Sequence, residues 1–258
     1  MSQRDKQRLD KVLVDRGLVA SRERARALIM EGKVSVRGVP ALKAGALVLP
    51  GDDVQLKGDD IPYVSRGGLK LEAALHFFGI SLSGRVAMDV GSSTGGFTDC
   101  MLQGGVRRVY CIDVGYGQLA WKLRNDPRVI LLERTNIRLL PRESISEPID
   151  IATIDVSFIS LGKVIPRVLE FLGSSGEILA LVKPQFEVGK GEVGKGGIVR
   201  DEEKRLEAVD AVMKGLALLP LRSAGVFLCP VPGQKGNREY FIHLLKECGS
   251  TASEEPAD

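Results

Sequence analysis

Beyond Val64 the chain reads as short apolar runs separated by stretches whose apolar residues recur at helical spacing. The runs end near Val90, Asp113, Leu132, Asp155 and Lys183, and two further ones cover Arg222 to Leu228 and Glu239 to Leu245. Val109-Tyr110-Cys111-Ile112 and Ile178-Leu179-Ala180-Leu181-Val182 show no polar alternation, as expected of strands covered on both faces. Strands alternating with helices predict an α/β fold with a mostly parallel, doubly wound, seven-stranded sheet. The last two strands flank Pro230-Val231-Pro232-Gly233 and are expected to form an antiparallel edge.

The first 57 residues follow a different rhythm. Leu9, Val12 and Leu13 recur at helical spacing and stop near Gly17. Ser21 is placed to cap a second helix, with Ala25, Leu28 and Ile29 on its apolar face and Gly32 just past its end. Arg22 and Arg26, four apart, share another face of that helix. Short β-type pieces follow at Val34-Ser35-Val36 and Val54-Gln55-Leu56, and Lys57-Gly58-Asp59-Asp60-Ile61-Pro62 is polar and turn-rich. The expected organisation is a small α+β domain over 1–58, a linker over 59–66, a larger domain over 67–247 and a disordered tail over 248–258. Charge sharpens this division. Residues 1–38 hold ten Lys or Arg against five Asp or Glu, a surplus of five, whereas the whole chain carries only +3. A basic end on a near-neutral body suggests a polyanion-binding appendage.

One turn stands out in the larger domain. Asp89-Val90-Gly91-Ser92-Ser93-Thr94-Gly95-Gly96-Phe97-Thr98-Asp99 follows an apolar segment and leads into a helix-compatible one. This is the place where an open α/β sheet binds a nucleotide-like cofactor, outside the carboxyl end of its first strand. Asp113 ends the next strand, where a carboxylate can accept from both hydroxyls of a cofactor ribose. The spacing is not the dinucleotide fingerprint, and the looser glycine pattern points to S-adenosylmethionine. Gly91, Ser93, Thr94, Gly95 and Gly96 are expected to border its methionine end, with Phe97 on the same side, and Asn136 to meet the adenine edge. Asp89 either joins them as a ligand or holds the turn.

Composition narrows the class further. Apolar residues make up 44% and charged residues 27% of the 258, as in ordinary globular proteins. No apolar run approaches the roughly 18 residues needed to span a bilayer, and Met1-Ser2-Gln3-Arg4-Asp5-Lys6 lacks the apolar core of a signal peptide. Cys100, Cys111, Cys229 and Cys248 are scattered with no Cys-x-x-Cys pair, which argues against a metal site and for reduced thiols in the cytoplasm.

Four ionisable residues fall where such a sheet places its chemistry. Asp155 and Lys183 end the fourth and fifth strands, Glu239 begins the last, and Lys70 lies at the start of the helix before the first strand. A lysine closing an all-apolar strand must find partners or reach water. In order and strand position these four resemble the Lys-Asp-Lys-Glu tetrad of FtsJ-type ribose 2′-O-methyltransferases. The likeness extends to longer strings: Val64-Ser65-Arg66-Gly67-Gly68 to Leu71, Gly91 to Thr98, Asp113-Val114-Gly115-Tyr116-Gly117-Gln118-Leu119-Ala120-Trp121, Glu133-Arg134-Thr135-Asn136, Asp155-Val156-Ser157-Phe158-Ile159-Ser160 and Val182-Lys183-Pro184-Gln185-Phe186-Glu187. These closely resemble the TlyA family, whose members are known both as hemolysins and as ribosomal-RNA methyltransferases. The first 57 residues resemble the S-four type RNA-binding domain, with Arg8, Arg22, Arg26 and Lys43 as the phosphate-contact candidates.

The resemblance implies a Rossmann-like methyltransferase that methylates cytidine 2′-hydroxyls in ribosomal RNA. It implies ribosomal RNA or ribosomal subunits as partners, no membrane, and a monomer. Large-subunit RNA is the expected target, because little follows the last strand except an acidic tail, with small-subunit RNA as the alternative. A ribose hydroxyl is a weak nucleophile, so the protein must align it and handle one proton. Lys183 is the candidate for activating it, Asp155 and Glu239 for orienting Lys183 and the substrate, and Lys70 for stabilising the developing oxyanion. The loop from Gly189 to Gly197 nearly matches a P-loop but has Gly196 at the hydroxyl position. It is read as a mobile, lysine-bearing loop touching RNA backbone. Trp121 and Phe158 are read as core packing. The rival readings are a membrane-acting toxin, which would need a span or an export signal, and a catalytically silent RNA-binding or assembly factor, which would not need all four ionisable residues.

Overall fold

A computed structural model describes residues 6–19, 21–30, 32–56, 61–189, 193–194, 196–233 and 236–247. The chain divides into two compact units, Met1–Pro62 and Tyr63–Asp258. Residues 57–60, which span the expected boundary between the small domain and the linker, and the expected tail, 248–258, lie outside the described residues.

In the first unit β1 (Gln7–Arg8) runs directly into α1 (Leu9–Asp15), and α2 (Arg22–Met30) follows. Ser21 Oγ accepts from Arg24 N at 3.1 Å, the cap its position foretold. Leu9, Leu13, Ala25, Leu28 and Ile29 close over a common core with Val34, Val48 and Val54. β2 (Val34–Val36) pairs antiparallel with β3 (Val39–Pro40) and β5 (Val54–Leu56), while β4 (Leu47–Val48) pairs with β1.

The second unit is built on β6 (Val86–Val90), β7 (Arg108–Ile112), β8 (Val129–Leu132), β9 (Ile149–Ile154), β10 (Leu172–Val182), β11 (Leu221–Leu228) and β12 (Tyr240–Lys246). Their order is β11-β12-β10-β9-β6-β7-β8, with β12 alone running against its neighbours. The chain moves outward from β6 to β8 and then returns to β9 on the other side of β6. That reversal opens a crevice at the carboxyl ends of β6 and β9, the ligand position of open α/β sheets.

Both faces of the central strands are covered, which is why β6, β7 and the second half of β10 are almost wholly apolar, whereas the edge strand β11 is mostly exposed. Ala87, Cys111, Ile151, Leu181 and Phe241 pack with residues of α3 (Gly67–Phe78) and α4 (Gly96–Gln103). Met88, Ile112, Ile154 and Val182 pack on the opposite face with α6 (Ile165–Leu169) and α8 (Glu202–Gly215). Between these lie the short helices α5 (Trp121–Arg124) and α7 (Pro184–Glu187). β10 begins earlier than its apolar run, at Leu172, because a register shift between Leu172 and Glu177 carries the polar Gly173-Ser174-Ser175-Gly176 stretch along β9. Among the described residues no helix is long and apolar enough to cross a membrane.

At the amino ends of the strands, Glu177 is buried between Arg85, with which it pairs, and His243 Nε2, 2.5 Å from its Oε2. Burial alone would raise this carboxyl, but the His243 and Arg85 bonds outweigh it and hold the group below its ordinary value. Breaking a largely buried ion pair from one side costs about 3 kcal/mol. Glu177→Ala should therefore lower the unfolding free energy by about that amount, seen by circular dichroism as a lower urea midpoint with an unchanged m-value.

Candidate active site

The sheet register delivers the charged residues to one place. Val182 pairs with Tyr240, so the next positions, Lys183 and Glu239, emerge side by side from β10 and the antiparallel β12. Asp155 N donates to Val90 O at 2.9 Å, which fixes Asp155 beside the glycine turn after β6. Lys70 reaches the same point from the first turns of α3. Lys70 Nζ donates to Glu239 Oε2 at 2.6 Å, with the two residues only 9% and 2% exposed. Lys183 Nζ lies 2.6 Å from Asp155 Oδ1 and donates to Ser157 Oγ at 3.0 Å. All four ionisable residues line a single cavity of about 430 Å³. Each ammonium thus has its own carboxylate, the condition for holding charges in a cleft with little water.

A second cavity of about 390 Å³ opens next to it, lined by Gly91, Ser93, Asp113, Asn136 and a run of apolar residues that includes Val114, Ile137 and Ile159. Asp113 is held by the loop itself: Oδ2 accepts from Ser93 N and Oδ1 from Gly115 N, both at 2.7 Å. Gly91 has φ +87°, and a Cβ there would stand 2.5 Å from Asp155 O, so only glycine permits this approach of the two loops. Asn136 Oδ1 caps the following short helix by accepting from Arg138 N at 3.1 Å. The two cavities share Asp155, Ser157 and Phe158.

Several residues expected at the cofactor face elsewhere. Asp89 is wholly buried, accepting from Thr98 Oγ1 at 2.6 Å and Thr153 Oγ1 at 3.2 Å, and it lines neither cavity. Burial pushes its carboxyl up to about 7 against the pull of those hydroxyls. It holds the turn. Phe97 is buried against Phe241, ring centroids 6.0 Å apart. Gly95 and Gly96 are small for packing: a methyl on the first would collide with Leu123, and on the second with Ser65 Oγ and Gly68 N. Thr94 is exposed and lines neither cavity; its carbonyl accepts from Ala120 N at 3.2 Å.

The reading of Trp121 and Phe158 as core residues is corrected, since they are 70% and 89% exposed. Phe158 sits at φ +64°, a left-handed backbone that costs an aromatic residue about 1–2 kcal/mol. That conformation turns its ring out to the junction of the cavities, against Phe186 at a centroid distance of 4.8 Å. Ser157, Gln185, Phe186 and Asn237 also line the charged cavity and were not singled out from sequence. Of the glycine loop, residues 190–192 and 195, including both lysines, lie outside the described residues. Val193 and Gly197 line the charged cavity.

In the first unit the three candidate arginines converge on a residue the sequence reading passed over. Asp10 is wholly buried, and its Oδ2 lies 3.0 Å from Arg8 Nη2, 3.0 Å from Arg22 Nη2 and 3.2 Å from Arg26 Nε. The guanidiniums stay about half exposed, so one carboxylate gathers three cations at the surface. Arg8 first, with Arg22 and Arg26, holds the Asp10 carboxyl far below the usual carboxylate range. Lys43 is exposed on the turn closed by Ala46 N and its own carbonyl at 3.0 Å.

A family model described as FtsJ-like methyltransferase matches residues 63–246, and one described as S4 domain matches residues 7–54. The 16S/23S rRNA (cytidine-2′-O)-methyltransferase TlyA of Mycobacterium tuberculosis is 48% identical over 238 residues, 92% of this chain and 89% of that protein. YqxC of Bacillus subtilis, described as a candidate rRNA methyltransferase, is 45% identical over 240 residues, 93% of this chain and 85% of that protein. Among solved structures, a Streptococcus thermophilus protein described as a candidate hemolysin superposes with a TM-score of 0.74 at 40% identity, covering 94% of this chain and 89% of that one.

The Asp10 cluster makes the first unit acid-sensitive in a defined direction. A depressed carboxylate stabilises the fold above its unfolded pKa of about 3.9, and that contribution is lost as pH falls below it. Asp10→Ala should cost about 1–2 kcal/mol at pH 7 after discounting for solvent at the half-exposed guanidiniums. Unfolding curves at pH 7 and pH 3 should show a smaller difference from wild type at the lower pH.

Proposed function

The chain belongs to the TlyA family of FtsJ-like methyltransferases bearing an S4 domain, and on that footing we propose that it methylates cytidine 2′-hydroxyls of ribosomal RNA with S-adenosylmethionine. The observation that carries the reading is the sharing of Asp155, Ser157 and Phe158 by the two cavities. A methyl donor in one and a ribose in the other would meet at the Lys183–Asp155 pair. The residues of the 390 Å³ cavity suit the donor. Asp113, pre-oriented by two backbone N–H groups, accepts from ribose hydroxyls, and apolar walls with Asn136 at one edge receive a nucleobase. S-adenosylmethionine, when bound, supplies the activated methyl group.

The chain's own residues handle the acceptor. Lys183 Nζ, after giving up one ammonium proton to solvent, takes the 2′-hydroxyl proton and returns to the ammonium form, while Asp155 and Ser157 hold that nitrogen in place. Lys70, fixed by Glu239, faces the oxygen as negative charge develops there. Arg8, Arg22, Arg26 and Lys43 bind RNA phosphates, with Asp10 keeping three guanidiniums gathered at the surface before RNA arrives. Such a substrate places the protein in the cytoplasm.

Transfer of tritium from labelled S-adenosylmethionine to ribosomal subunits, followed by mapping of 2′-O-methyl marks in both subunits' RNA, tests the reading. A wild-type enzyme that labels no ribosomal cytidine would sink it. Lys183→Ala should cut the rate about 10²- to 10⁴-fold, the span of a lost general base, and leave the calorimetric affinity for S-adenosylmethionine unchanged. Asp113→Ala should do the opposite at the binding step, weakening that affinity about 10- to 100-fold through loss of charge-assisted hydrogen bonds.

A further inference from the structure

Two segments beside the charged cavity are fastened to each other at both ends. One runs from Lys183 through α7 to Glu187, and the other from Ser157 to Leu161 after β9, five residues each. At one end Lys183 Nζ donates to Ser157 Oγ at 3.0 Å. At the other, Leu161 N donates to Glu187 Oε1 at 2.9 Å. Between the two bonds the Phe158 ring rests on Phe186. Residues 155–160 belong to no helix or strand, and Phe158 holds a left-handed backbone. A strained residue persists only where its surroundings over-determine it. Here the two end bonds do so.

Glu187 itself lines neither cavity. It is half-buried, and burial holds its carboxyl above the ordinary value against the pull of Leu161 N and Ser160. We propose that Glu187 is a positioning residue for methyl transfer: by accepting from Leu161 N it holds the loop after β9 so that Ser157 Oγ stays on Lys183 Nζ. Glu187 touches no reacting atom and acts through Ser157. A shift of that loop by an ångström would move Lys183 out of line with the acceptor hydroxyl, a displacement that costs about 10²-fold in rate. The proposal rests on the ribose-methyltransferase reading above.

The test uses the full-length enzyme with S-adenosylmethionine and ribosomal subunits. Glu187→Asp keeps the charge but withdraws the acceptor by about 1.5 Å, one C–C bond, and so out of reach of Leu161 N. Glu187→Gln keeps the reach and drops the charge. The Asp variant should lose about 10- to 100-fold in kcat and in kcat/KM alike, as for an interaction felt in the transition state. The Gln variant should turn over near the wild-type rate. Ser157→Ala combined with Glu187→Asp should be no slower than the slower single variant, because both break one linkage. A purely structural Glu187 would give losses that multiply. Wild-type turnover in the Asp variant, or multiplying losses in the double variant, overturns the proposal. Should the Asp variant lose its cooperative unfolding transition, the Gln variant decides: wild-type turnover supports the acceptor role, and a loss as large as that expected of Asp overturns it. Wild-type enzyme that methylates no ribosomal cytidine overturns the underlying reading, a distinguishable result.

Discussion

Two lysines can stand at the floor of a largely buried cleft only because each has a carboxylate 2.6 Å away. An unpaired ammonium there would cost several kcal/mol, comparable with the net stability of a whole domain. The sheet exists in the form that supplies those carboxylates. Parallel β9 and β10 deliver Asp155 and Lys183 at their carboxyl ends, and the reversed β12 brings Glu239 to the same edge at its amino end. α3 then needs only to lay Lys70 across the gap. Topology and electrostatics are therefore one constraint: change the direction of β12, and Lys70 loses its partner.

The same logic is written small in the first unit. Asp10 lies inside the fold while the guanidiniums it binds remain half in water. Three like charges within bonding distance of one atom would otherwise repel, and their side chains would spread over many rotamers. Fixing them beforehand lowers the entropy that must be given up when a polyanion is bound.

What the sequence made legible was whatever obeys a period or a strand end. Apolar runs, continuous in the central strands and broken in β9 and β11, marked the sheet, and the charges that end them, Asp155 and Lys183, marked the site. Ser21 announced its helix by capping chemistry. The misses have physical causes as definite as the successes. β1 and β4 are two residues long, too short for any periodicity. Asp10 sits among leucines on α1 and reads as a solvated charge until the arginines from α2 are seen to close over it. In the glycine turn, proximity in sequence grouped Phe97, Gly95 and Gly96 with Gly91. The helix that begins there turns them into packing groups for α3, α5 and the sheet. Phe158 looks like core by composition, yet it sits on a left-handed backbone with its ring exposed.

β12 is the last of the seven strands to be synthesised, yet it is not the last across the sheet; it lies between β11 and β10. A polypeptide still emerging from the translation machinery would hold Asp155, Lys183 and the entire glycine turn without Glu239. Its sheet would present an open edge along β10, and Lys70 would have no anion to meet. Until that late strand is in place between its neighbours, the four charged groups of the cleft are not all present.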